Sequence, residues 1–281
     1  MTMTDTAQPR KTRLVVVALM LIGLIAVSAW GAVSYRDNPL TRRAQDYTQT
    51  VATTAAATYV TLRTLNAFLS TAQELEVGVG FIASGSAQPM KVLEPIDDTI
   101  ERIAGLVFGI MVTTGILSVA LGPVSAVGFG MMGAAAALWL VANIARGRAR
   151  PRALPRRLAW YGAFLGLALP IALVGASQLA GHLTDNTYAV NRAVIAEITQ
   201  SLDAETPGDE GGGFSLSIGA IDDYRQLAVN VWNRADDLIS ALVALLAVFV
   251  FNIFILPGML IGGLFMTVRY FARAAPAHPA G

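Results

Sequence analysis

The chain has 281 residues, 54% of them hydrophobic and 14% charged, with a formal net charge of +1. A soluble domain carries about a quarter charged residues, so this composition excludes an ordinary water-soluble fold and makes the bilayer the solvent. The absence of cysteine excludes disulfides and thiolate metal sites, two histidines (His182 and His278) cannot build a histidine-rich centre, and the small net charge provides no field for nucleic acid.

Residues 1–13 form a polar tail ending in Arg10, Lys11 and Arg13, a cytoplasmic signature. Residues 14–34 are uncharged and long enough for a first transmembrane helix, read as an uncleaved anchor because the run exceeds a signal-peptide core. Residues 35–102 read as a membrane-associated helical region. Within it, residues 51–72 carry a single charge, Arg63, at mid-stretch. That segment is either an amphipathic helix at the interface, with Arg63 reaching headgroups, or a hidden crossing with Arg63 facing a polar partner. The first reading is preferred.

Glycines 78, 80 and 85 have the wrong spacing for a nucleotide-binding loop, which makes a turn or short strand the simpler reading. Glu94–Arg102 has the proline and acids of a helix N-terminus. Its Asp97 and Asp98 form a carboxylate pair only against the 100° between helical neighbours.

Residues 103–145 contain no charge and are broken by Gly122-Pro123, which predicts a second span over 103–121 and a third over 124–145 joined by a tight turn. Residues 146–157 hold Arg146, Arg148, Arg150, Arg152, Arg156 and Arg157 without an acid. This is a topology determinant that marks a basic cytoplasmic loop. A fourth span follows over 158–180, with Pro170 inside it. Residues 181–237 are rich in acids and read as an outward-facing helical hairpin, with a hinge at Pro207–Gly213. The fifth span, 238–268, contains Pro257-Gly258, and a cytoplasmic tail, 269–281, follows with Arg269 and Arg273.

Five spans leave a conflict. With the arginine loop and the C-terminus inside, the N-terminus falls outside, against its own basic residues. Either the N-terminus is out, or a sixth crossing is hidden, or the 103–145 block crosses once.

Three glycine pairs, Gly105/Gly109, Gly162/Gly166 and Gly258/Gly262, have the four-residue spacing that lets helix backbones approach, within the chain or in a homo-oligomer. Asn143 and Asn252, with Arg63, are the candidate buried polar residues. No nucleophile–base signature, metal motif or cofactor fingerprint is present, so no catalytic, cofactor or metal residue is expected. The sequence therefore reads as an all-α, polytopic helical membrane protein of five transmembrane helices plus amphipathic helices, in the plasma (inner) membrane of a bacterium with an arginine-biased composition. Its expected role is non-enzymatic: a scaffold, sensor or accessory subunit whose partners are the bilayer and an envelope protein. The alternative is an oligomeric channel or passive transporter lined by Thr113, Thr114, Ser118 and Ser125.

Overall fold

The computed structural model describes residues 8–80, 94–144, 153–205, 226 and 229–274. Among these the chain is all-helical, with no strand. The helices are α1 (Gln8–Val33), α2 (Pro39–Gly80), α3 (Glu94–Ile144), α4 (Ala153–Ala163), α5 (Leu169–Leu183), α6 (Asp185–Glu205), α7 (Ala235–Val250) and α8 (Leu256–Ala274). Two π-helical stretches, Phe164–Ala168 and Phe251–Ile255, join α4 to α5 and α7 to α8. Arg146, Arg148, Arg150, Arg152, Gly85 and the Pro207–Gly213 hinge lie outside the described residues.

Local chemistry accounts for the helix boundaries. Asn38 caps α2, its side-chain oxygen accepting from Leu40 N at 3.0 Å, and Pro39 occupies the first helical position, where its missing N–H costs nothing. Glu94 and Asp97 put negative charge in the first turn of α3. Each π-helical stretch stands immediately upstream of a proline, Pro170 or Pro257. A proline removes an N–H and crowds the carbonyl four residues back; the wider π turn relieves that crowding.

Among the described residues, four helical stretches are long and apolar enough to cross a membrane: Leu14–Val33, Glu94–Ile144, Ala153–Leu183 and Ala235–Thr267. The expected five are thus four, because α3 runs unbroken for 51 residues through Gly122-Pro123. The turn predicted between spans at 103–121 and 124–145 is absent, and packing explains why. Gly122 is buried where a Cβ would meet the Tyr35 ring at 3.1 Å, so glycine serves close contact there rather than chain reversal. The Gln45 amide donates to Ser118 O at 3.0 Å, covering a carbonyl in the turn that Pro123 loosens.

The buried positions of α2, Thr41, Ala44, Thr48, Val51, Ala55, Leu62, Leu65, Leu69 and Ala72, follow the alternating three- and four-residue steps of a heptad seam, with half-buried Thr58 filling the gap. Ile96, Ile100, Ile103, Val107, Ile110 and Thr114 continue the same rhythm in α3 through half-buried Leu117 to Leu121. The next buried seam position is Ser125, a second consecutive step of four that shifts the seam at Pro123.

By compactness the chain divides into two units. Unit 1 comprises Met1–Gln49, Gly115–Gln178 and Leu256–Gly281; unit 2 comprises Thr50–Thr114 and Leu179–Ile255. In unit 1, a core of Ala44, Leu121 and Leu173 is flanked by Tyr47, Leu117, Leu169 and Val174. In unit 2, α2 and α3 lie antiparallel, with Tyr59 against Phe108 at 5.4 Å and Ser70 against Asp97. There α6 packs along α7, with Tyr188 edge-on to Phe249 at 6.3 Å.

Candidate functional site

Unit 2 contains a groove of about 240 Å³ built by α2, α6 and α7. The α2 wall is Thr53, Thr54, Ala57, Thr58 and Thr61; the α6 wall is Tyr188, Arg192 and Ile195; Leu242 and Leu245 come from α7. Short threonines spaced along one helix keep this wall shallow. Their hydroxyl protons are committed to their own helix: Thr53 and Thr54 donate to Thr50 O, Thr58 to Thr54 O and Thr61 to Ala57 O, at 2.8–3.1 Å. Each oxygen therefore keeps acceptor capacity only. Opposite them, the Arg192 guanidinium carbon lies 6.0 Å from the centre of the Tyr188 ring, a cation–π contact that steadies it. The groove thus offers acceptors on one side, a cation on the other and an apolar floor of buried Ile195, Leu242 and Leu245.

Two polar contacts stiffen this frame. Arg234, in the turn before α7, donates to Glu197 of α6 at 2.8 Å, which raises the arginine's pKa through that hydrogen bond. At the other end, Asn252 donates to the Thr184 hydroxyl at 3.1 Å while Thr184 also bonds Ala180 O. Asn252 sits in the π-helical stretch, so the widened turn and the polar clamp coincide.

A buried polar layer lies elsewhere in unit 2. Ser70 donates to one Asp97 oxygen at 3.5 Å, whereas Asn66 Oδ1, Gln73 Nε2 and Asp97 Oδ1 are buried with no hydrogen-bond partner among the described residues. Asp98 is exposed, so the helix does not bring the two neighbouring aspartates together. Such layers cost stability and are best suited to fixing helix register.

Comparison with family models, curated proteins and solved structures finds no match to this chain.

The residues singled out from sequence fall into different environments. Gly162 and Gly166 face Gly128: a Cβ on Gly162 would stand 2.7 Å from Gly128 O, and one on Gly166 3.2 Å from Phe129 N. By contrast, Gly105, Gly109, Gly258 and Gly262 have open space where a Cβ would go. Spacing alone does not tell a packed glycine face from a bare one, because the facing helix decides it. Arg63, a candidate buried polar residue, is exposed instead; its Nε donates to the Tyr59 hydroxyl at 3.0 Å, within its own helix. Asn143 and Asn252 are half-buried. Of the polar residues offered as a pore lining, Thr113 is exposed, while Thr114 is buried and donates to Ile110 O. Ser118 offers its carbonyl to Gln45, and Ser125 is buried in a chain of hydroxyls.

Ser125 has a definite task in unit 1. Pro170 has no N–H for the carbonyl of Gly166, four residues back, and the Ser125 hydroxyl points to that oxygen at 3.5 Å. Thr41 lies 3.2 Å from Ser125 on the other side. Thr41, Gly128 and Thr184 carry no sequence signature of their own; only the helices that face them give them a role.

Proposed function

We propose that the chain is a non-enzymatic scaffold, sensor or accessory subunit held in the bacterial plasma membrane, engaging a protein partner through the groove of unit 2. The observation that carries this reading is the groove's size and lining. At about 240 Å³ it is smaller than the roughly 300–1,000 Å³ of small-molecule sites, and its open, threonine-walled form suits one or two side chains of a docked helix. Arg192 selects a segment carrying an acid; the threonine oxygens accept from its donors. A conducting pore draws no support from Thr114 and Ser125, which are consumed in helix packing.

The single passage of α3 supports a four-crossing topology. An even number of crossings puts both termini on the side of residues 146–157, so Arg10, Lys11 and Arg13, the arginine run, and Arg269 with Arg273 all fall on the cytoplasmic side. The conflict raised by five spans disappears. Under this reading the polar helix α2 and the groove of unit 2 belong to the outward part of the chain.

The test is a photo-activated crosslinking residue at Thr58 in the full-length protein in its own membrane. A discrete adduct that disappears when Arg192→Glu is added, with the helical circular dichroism unchanged, supports the proposal. An adduct that survives Arg192→Glu, or none at Thr58, refutes it.

A further inference from the structure

Unit 1 contains a separate cavity of about 550 Å³ formed by the start of α4 and the end of α8. Three guanidinium groups, Arg156, Arg157 and Arg269, and three aromatic rings, Trp160, Tyr161 and Phe265, supply nearly all of its wall. No acid lines it, and the ion pairs formed among the described residues, Arg42–Asp37 and Arg234–Glu197, use none of its arginines. The adjoining sequence offers no counter-charge either, since 145–152 and 270–281 contain neither Asp nor Glu.

Three like charges around one cavity repel each other, and the cost is greater at Arg156 and Arg157. Both stand near the beginning of α4, whose first turn holds no acid, where the positive end of the helix dipole disfavours cations. One anion in the cavity offsets both costs. The aromatic wall identifies the setting: Trp160 packs edge-on to Phe265 at 6.3 Å, yet they remain 51% and 48% exposed. Indole and arginine together at the end of an apolar helix belong at headgroup level. Arginine's planar fork matches phosphate oxygens two at a time, and basic pockets between membrane helices take anionic headgroups.

We propose that this cavity binds a phosphate group, either in the headgroup of an anionic phospholipid or as free phosphate, through Arg156, Arg157 and Arg269. The site is independent of the groove in unit 2 and stands whether or not that groove binds a partner.

The test is native mass spectrometry of the full-length protein in detergent, offered equal amounts of phosphatidylglycerol and phosphatidylcholine with the same chains, and separately inorganic phosphate. Phosphatidylglycerol should be retained preferentially, and Arg156→Gln or Arg269→Gln alone should weaken its binding about fivefold, the share of one basic residue. Arg42→Gln should leave binding unchanged. Selective lipid retention assigns the headgroup; phosphate binding that the arginine variants abolish, without lipid selectivity, assigns the free ion. Failure to bind either, or undiminished binding in the triple variant Arg156→Gln/Arg157→Gln/Arg269→Gln, overturns the proposal.

Discussion

At residue scale, Gly128 and Gly166 bring two helix backbones of unit 1 into close contact. A Cβ on Gly128 would run into Gly166 N, rigid backbone rather than a movable side chain, so the helices must separate to admit it. Gly128→Ala is expected to destabilise the detergent-solubilised protein by about 1–3 kcal/mol, the usual cost of overpacking. Gly105→Ala meets nothing within 4 Å and should be neutral or slightly stabilising, because alanine is the better helix former. Thermal melts of the two variants measure the contrast. Tyr47 makes a second residue-scale prediction. Burial against the unit 1 core pushes its phenol from 10.0 up to about 12. The unfolded chain sheds this proton near pH 10 while the folded chain keeps it, so the folded state binds more protons between these values. Stability is full below pH 10 and falls as pH rises from 10 towards 12; Tyr47→Phe should remove that part of the alkaline loss in melts recorded across the window.

At element scale, Pro170 and Pro257 interrupt their apolar stretches without ending them. Both are absorbed by a π-helical stretch, and at Pro170 the freed Gly166 carbonyl is approached by Ser125 from α3. Ser125→Ala should therefore cost about 1 kcal/mol in the natural chain and less in a Pro170→Ala background, where the helix supplies its own donor. Melts of the two single variants and the double variant close that cycle, and equal costs in both backgrounds would detach Ser125 from the proline. The clamp between Thr184 and Asn252 admits the same treatment. Thr184→Val and Asn252→Leu should show a coupling of about 0.6–1.7 kcal/mol, the range for interhelical hydrogen bonds in membrane proteins. Much at this scale was legible in sequence: the apolar runs and the acid-led start of α3 are local chemistry. The Gly122-Pro123 reading went wrong because glycine and proline mark both turns and helix contacts, and the choice rests on Tyr35 and Gln45, about eighty residues away in sequence.

At the scale of the whole molecule, the proposed four-crossing topology rests on the continuity of α3. With four crossings, a membrane-impermeant maleimide added to intact cells should modify Thr61→Cys and spare Ala153→Cys until the membrane is opened, and tags at the two termini should share the side of Ala153. Labelling of Ala153→Cys from outside would reverse the topology. The sequence by itself determined the helical class and the apolar stretches long enough to cross a membrane, because hydropathy acts through the solvent and needs no partner within the fold. Only the tertiary structure decided that α3 crosses a proline unbroken, that of the three glycine pairs only Gly162 and Gly166 meet another backbone, that Arg63 is exposed beside Tyr59, and that threonines face Arg192 across a groove. Each of those depends on what the opposing helix presents, and a side chain's own sequence neighbourhood contains no record of it.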